Sequence, residues 1–313
     1  MIRQCAFEGK QNWLKGALHC HTTRSDGRGT PEEVIRLHVR NGYDFMALTD
    51  HRIYNFRNFT DEKITILPGM EMDRDIYSNR VGNCFHTVCI GPEKGNGYVQ
   101  DERVPGGFVH DQYEYQPFLD EIHEKGNLTI YCHPEWSGTR TSSFCDMKGD
   151  IAIEVWNSGS VLENHMDSNA PFWDDLLFDG KKIFGVATDD GHLMNEHCKG
   201  WVMVNSENTV DAILDGLKNG AFYASCGPEI HDFYVEDGVA HLNCSPVVEI
   251  QFRHQCVPYG TIRAQEGEAG LTEGSTPVKR GYGAQYIRVV VKDAEGRQAW
   301  TNPIFLDEDD YAK

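Results

Sequence analysis

His19 and His21, one residue apart in the stretch LHCHTTRSD, constrain this chain more than any other feature. In an extended strand, positions i and i+2 point to the same face. Two imidazoles would then leave one strand side by side, with the Asp26 carboxylate hanging over them from the following turn. Cys20 would point the opposite way. Imidazole is the commonest metal ligand, and carboxylate oxygens complete such sites. The plain alternative is two unrelated surface histidines, so the weight falls on what recurs along the chain.

What recurs is polar residues at strand ends. Residues 15–21 read as a strand. A helix is expected from Thr30, with Pro31 at its first position, Glu32 and Glu33 in the first turn, and Gly42 as its stop. Val34, Ile35, Leu37 and Val39 give it an apolar side. A strand over 44–48 ends in Thr49-Asp50-His51, and one over 64–67 runs into Pro68-Gly69-Met70-Glu71. A strand over 84–90 carries His86. Residues 92–112 read as a long loop and 116–125 as a helix closed by Gly126. Strand 128–132 delivers His133-Pro134, strand 151–156 ends at Asn157, and residues 160–180 read as helical around 172–178. Strand 183–187 leads into Thr188-Asp189-Asp190-Gly191-His192, and strand 201–204 and helix 209–218 follow. Strands alternating with helices imply a parallel α/β sheet, and polar groups at one strand end after another imply a barrel.

Past about Pro228 short alternating strands take over, such as 247–252 and 286–291, and helical periodicity stops. The expected organisation is a barrel domain over 1–227 and a small all-β, sandwich-like domain over 228–313 packed on it. The glycine-rich segment 266–283 reads as a loop or hairpin tip.

Composition narrows the partners. A chain of 313 residues with a formal charge of −19 has no basic surface to track phosphates, which disfavours a nucleic-acid duplex. No apolar run reaches the length of a membrane span, and the N-terminus has no apolar core of a secretory signal. The ten cysteines form no CxxC pair and read as reduced cytosolic thiols, so the expected location is cytoplasmic.

Collected in order, the polar strand ends are His19, His21, Asp26, His51, Glu71, His86, His133, Asp190 and His192. Nine donors exceed the needs of one ion and suit two or three divalent ions sharing a carboxylate. Imidazole with carboxylate suits Zn, Mn or Fe, and no cysteine stands where a structural cysteine-rich zinc site would need it.

The ordered set His19-x-His21 with Ser25-Asp26-Gly27, Thr49-Asp50-His51, Pro68-Gly69-x-Glu71, His86 before an apolar run ending in Gly91, His133-Pro134 and Asp190-x-His192 resembles the PHP (polymerase and histidinol phosphatase) superfamily over roughly residues 14–225. The segment Trp13-x-Lys15-Gly16-x-Leu18-His19 and the tail Ala299-Trp300-Thr301-Asn302-Pro303 resemble its CehA/McbA-type branch. The resemblance implies a distorted (β/α)7 barrel with a trinuclear metal centre at the C-terminal strand ends. Carried over motif by motif, it implies that His19, His21, Glu71 and Asp190 hold one ion. Glu71 would bridge to a second ion held with His86 and His133, and Asp26, His51 and His192 would hold a third. The usual Ser-Asp-x-His motif is replaced here by Thr188-Asp189-Asp190-Gly191-His192. Spacing selects Asp190 as the ligand and leaves Asp189 as a candidate to support it.

Other residues carry competing readings. Asp50 is a candidate catalytic group, or an orienter of a histidine. Arg140 is a candidate clamp for an anionic substrate, or a solvated loop arginine. Arg24 and Arg52 are similar cases, and Glu154 and Asn157 are candidates to orient substrate. His165 is a candidate general acid, or a surface histidine. His110, His123, His197, His231, His241 and His254 match no motif and read as structural.

The expected function is metal-dependent hydrolysis of phosphate esters of a small anionic metabolite or nucleotide, by a metal-bridging hydroxide attacking phosphorus. The alternative is hydrolysis of carboxylic ester, carbamate or amide bonds. Two or more cations around the metals would mark the first. An apolar pocket, for which Trp136, Trp156 and Trp173 would serve, would mark the second. A third reading, an inactive barrel used for binding, is disfavoured because all nine donors are present. G-x-S-x-G and P-loop motifs are absent, so acyl-serine and NTPase chemistries lack support.

Overall fold

A computed structural model of the chain describes residues 2–4, 7, 12–92, 97–254, 257–267, 269–278, 286–307 and 310. Two sheets share the first part of the molecule. In one, Trp13–Ala17, Phe45–Ala47 and Thr65–Leu67 run parallel, and Trp201–Asn205 and Phe222–Ser225 continue it antiparallel. In the other, Leu128–Tyr131, Asp150–Asn157 and Phe184–Thr188 run parallel. Cys84–Ile90 and Gly69–Ile76 extend it antiparallel, and the short strand Phe108–Val109 closes its edge. One aliphatic cluster draws Leu14, Phe45 and Val202 from the first sheet and Val88, Ile130 and Val186 from the second, so the sheets enclose a common core. Gly16 is required there, because a Cβ would lie 1.9 Å from Cζ of Phe45 on the neighbouring strand.

Local chemistry explains the helix boundaries. Thr30 Oγ1 accepts from Glu33 N at 3.3 Å and Glu33 Oε2 accepts from Thr30 N at 2.9 Å, a reciprocal cap that starts helix Pro31–Arg40. Gly42, at φ +75°, turns the chain afterwards. The next helix spans Gln112–Glu124, four residues earlier than the apolar pattern suggests, because the Asp111 carboxylate caps Tyr113 N and Glu114 N. Helices Ala170–Phe178 and Val210–Lys218 follow.

The described elements alternate strand and helix less regularly than the distorted (β/α)7 barrel that the resemblance implies. Four α-helices are present among the described residues, and Gly69–Ile76 and Cys84–Ile90 are joined by a turn and pair antiparallel. The fold is mixed α/β with a parallel run on each side of that hairpin.

Beyond residue 228 the described elements are strands. Ile2–Gln4, Ile230–Glu236, Val239–Val247 and Leu271–Pro277 form a four-stranded sheet. Leu271–Pro277 is thus a strand inside the segment expected to be a loop or hairpin tip; residues 268 and 279–283 of that segment lie outside the described residues. The remaining strands do not form a separate sheet. Gln298–Thr301 pairs with Phe222–Ser225, so Tyr286–Lys292, Glu249–His254 and Val257–Arg263 prolong the first sheet. Phe233, Leu242, Phe252, Val289 and Val291 fill the space between the two layers. Asn302 reinforces the join, accepting from Gly185 N at 3.0 Å and donating to Phe222 O at 3.0 Å.

No helix among the described residues is long and apolar enough to cross a membrane. The eight described cysteines are free thiols.

Candidate metal centre

Strand Trp13–Ala17 ends before the two leading histidines, so His19 and His21 sit just beyond its end rather than within it. Their side chains still converge: the two Nε2 atoms lie 3.2 Å apart. Cys20 points away, its Sγ against Ala47 O at 3.0 Å. Such closeness turns both Nε2 atoms toward the same point.

Glu71 is the hub of the site, buried with its two oxygens facing different histidines. Oε2 is 3.4 Å from His19 Nε2, 3.2 Å from His21 Nε2 and 3.0 Å from His51 Nδ1. Oε1 is 2.8 Å from His86 Nδ1 and 3.4 Å from His133 Nε2. Asp190 faces the same histidines, with Oδ1 3.0 Å from His21 Nε2 and Oδ2 3.6 Å from His133 Nε2. Asp26 Oδ2 lies 3.5 Å from His51 Nε2 and 3.4 Å from His192 Nε2. All nine residues expected from the sequence are therefore gathered in one place.

Their donor atoms fall into overlapping groups small enough to surround one ion each: His19, His21, Glu71 and Asp190; His21, Asp26, His51 and His192; and His51, Glu71 and His86. Glu71 Oε2 and His51 Nδ1 are buried and make no hydrogen bond. Orphaned acceptor atoms at a shared focus fit a divalent cation, and the nitrogen and oxygen donor set suits Zn, Mn or Fe.

Electrostatics points the same way. Burial disfavours a charged His19, but Asp190, Glu71 and Glu154 outweigh it and raise its pKa well above the ordinary value. The same contest, led by Glu71, raises His51 to about 10, and Asp26 above all raises His192 to about 9. Burial works against ionised Glu71, yet His51, His86 and His19 hold its carboxyl well below the usual range. A site that concentrates this much negative potential on imidazoles takes either protons or metal ions.

A layer behind these donors fixes their direction. Glu154 is fully buried; Oε1 lies 2.7 Å from His19 Nδ1 and Oε2 accepts from His133 N at 2.9 Å and from Asn157 Nδ2 at 2.9 Å. Neither Glu154 nor Asn157 lines the cavity over the donors, so they orient the donor residues, not a substrate. Asp50 has the same kind of position. Its Oδ1 accepts from Thr22 N, Ser25 N and Ser25 Oγ at 2.8, 3.1 and 2.8 Å, fastening the turn that presents Asp26.

The other candidates lie apart. Arg140 and His165 are exposed, and neither lines the cavity. Arg24 is paired with Asp101 and Arg52 with Asp73. Trp136 lines the cavity, whereas Trp173 is buried in the core and Trp156 packs against Trp300. Asp189 does not face the nine donors. Its carboxylate accepts from Ser158 Oγ and from the backbone of Cys198, Lys199 and Gly200.

Asp73 was missed. It lies two residues beyond Glu71 on the same strand, its Oδ1 3.2 Å from His51 Nδ1, and that oxygen is buried without a hydrogen bond. The signal was available in Glu71-x-Asp73, which repeats the i, i+2 logic of the two leading histidines.

The cavity above the donors has a volume of about 340 Å³, and Asp26, His51, Glu71, His86, His133, Trp136, Ser160, Glu163, Asn164, Asp190, His192 and Glu196 are among its lining residues. No Lys or Arg is among its lining residues.

No protein-family model matches the chain. Among solved structures, a two-domain protein containing a predicted PHP-like metal-dependent phosphoesterase from Bacteroides vulgatus shares the fold. The TM-score is 0.50 at 16% identity, covering 97% of this chain and 98% of that one. PsfC from Pseudomonas syringae overlaps less closely, with a TM-score of 0.46 at 13% identity over 67% of this chain and 90% of that one. In sequence, an alignment of length 79 is 33% identical to the DNA polymerase/3'-5' exonuclease PolX of Bacillus subtilis and covers 19% of this chain and 14% of that protein. The fold described above is thus shared with that Bacteroides vulgatus protein over nearly the full length of both chains.

Proposed function

We propose that the protein is a metal-dependent hydrolase of phosphate esters, acting on a small molecule. The observation that carries this reading is the division of Glu71, with Oε2 turned to His19, His21 and His51 and Oε1 turned to His86 and His133. One carboxylate serving two histidine groups would be able to hold two ions close together. Bound there, divalent ions supply Lewis acidity toward a phosphoryl oxygen and lower the pKa of coordinated water.

The chain's own residues do the rest. Glu154 and Asn157 hold His19 and His133 in register, and Asp50 holds the Asp26 turn. Glu71, Asp190, Asp26 and Asp73 bring four negative charges, so three divalent ions would leave the centre net positive and suited to an anionic ester, and two would leave it neutral. A cavity of about 340 Å³ is of a size for a metabolite or a single nucleotide. The phosphoester reading also draws support from the Bacteroides vulgatus protein of like fold. We further propose a cytoplasmic location, and that residues 228–313 act as a wall bracing the sheet behind the site.

A second reading rests on one observation: no cationic side chain lines the cavity, and Trp136 does. That lining suits a neutral carbonyl substrate, namely a carboxylic ester, carbamate or amide. Turnover of an aryl phosphate and a matched aryl carboxylate by the metal-loaded protein separates the two. Phosphate turnover that is lost in His19→Ala supports the first reading; carboxylate turnover alone replaces it with the second.

A further inference from the structure

A second group of donors lies outside the nine. His38, on helix Pro31–Arg40, is completely buried, and His197 is 3% exposed. His38 Nδ1 donates to Val34 O at 2.8 Å, one turn back on its own helix. That bond fixes the neutral tautomer and leaves Nε2 with a bare lone pair pointing away from the helix. No hydrogen bond reaches His38 Nε2, and none reaches either nitrogen of His197. The His197 ring stands edge-on to that of His38, with centroids 5.4 Å apart. The third member is the Asp189 carboxylate, 1% exposed, and the three donor atoms lie within 4.8 Å of one another.

Three orphaned nitrogens on two buried imidazoles are costly, because each has given up its hydration without a hydrogen bond in return. Here the orphans and a carboxylate converge. The Asp189 oxygens already take hydrogen bonds from Ser158 Oγ and three backbone amides, which anchors the carboxylate as a ligand must be anchored. Lys15, whose field reaches both His38 and Asp189, has its ammonium over the rings of Tyr43 and Trp201 at 4.3 and 4.1 Å.

We propose that His38, His197 and Asp189 form a separate, buried structural site for a divalent cation of Zn²⁺ chemistry. Two neutral imidazoles and one carboxylate leave the ion with one net positive charge, and the set matches zinc's preference for nitrogen and oxygen donors. The site touches the main centre through the backbone. A Cβ on Gly191 would lie 2.5 Å from His197 Nδ1, so the His197 ring packs directly on the residue between Asp190 and His192. Gly191 O in turn accepts from His21 N at 3.1 Å. An ion at His197 therefore steadies the loop that presents Asp190 and His192.

The test starts from full-length protein stripped with chelator and titrated with Zn²⁺ alone. Metal stoichiometry is compared among wild type, His38→Ala and His197→Ala, and crystals of the zinc-loaded wild type are measured on both sides of the zinc edge. The proposal expects each variant to bind one equivalent less than wild type, and an anomalous peak between His38 Nε2, His197 and Asp189. Equal stoichiometry with no such peak, an ordered water standing there instead, overturns it. If a variant fails to fold, the wild-type map alone decides. Peaks at the nine-donor centre are scored separately, so failure of one site is not mistaken for failure of the other.

Discussion

Glu154 holds the Nδ1 edge of His19 at 2.7 Å while His19 Nε2 faces Asp190 Oδ1 at 3.2 Å. A buried carboxylate behind a histidine fixes its tautomer and raises its basicity as a ligand. Glu154→Gln should therefore weaken metal binding by about 10- to 100-fold without removing a donor. Competition against a chelating dye measures it; affinity equal to wild type would show that the contact does not orient His19.

Asp50 is bonded to the turn 22–25 and not to the donors, which predicts a selective defect. Asp50→Ala should loosen Asp26 and lower occupancy at the Asp26, His51 and His192 group, while the His19, His21, Glu71 and Asp190 group stays loaded. Crystallographic occupancies of a zinc-loaded variant report both groups, and equal loss at both would contradict the assignment.

Much of this was legible beforehand, and the reasons differ by residue. The nine donors could be read because each lies on an apolar strand, as Glu71 and His86 do, or in the turn that follows one, and the cap at Thr30 because its pattern is local. The antiparallel placing of Gly69–Ile76 against Cys84–Ile90 could not be read, since apolar alternation carries no strand direction. The continuation of the first sheet through Gln298–Thr301 depends on pairing across more than seventy residues of chain. Arg140 looked like a clamp because it follows His133-Pro134 closely, but the intervening turn carries it out to solvent. His38 and His197 gave no motif because they meet only in the folded chain.

Asp174 joins helix Ala170–Phe178 to the C-terminal strands. Its Oδ1 lies 2.6 Å from Nη2 of fully buried Arg288, whose guanidinium also covers the Trp173 ring at 4.5 Å. Asp174→Ala strands that buried cation and should cost about 3–5 kcal/mol of stability. Urea denaturation measures it. A loss under about 1 kcal/mol would mean that Arg288 finds other partners.

Burial raises the Asp150 carboxyl to about 6, against opposing pulls from Thr129 and Lys181. A raised carboxyl pKa means that the folded chain binds the proton more tightly than the unfolded one. Its contribution to stability is then present at pH 4 and lost as pH rises through 6. Asp150→Asn should gain on the order of 1–3 kcal/mol over wild type between pH 4 and pH 7.5. Denaturation midpoints of both proteins across that range test it; a pH-independent difference would show that Asp150 does not titrate there.

The central claim is that the nine donors hold a cluster of metal ions. Anomalous diffraction at the metal edge, from crystals of protein reconstituted with Zn²⁺ or Mn²⁺, tests it most directly. The expected map has two or three peaks ringed by His19, His21, Asp26, His51, Glu71, His86, His133, Asp190 and His192, with Glu71 between two of them. A reconstituted crystal with no peak among these residues would contradict the account.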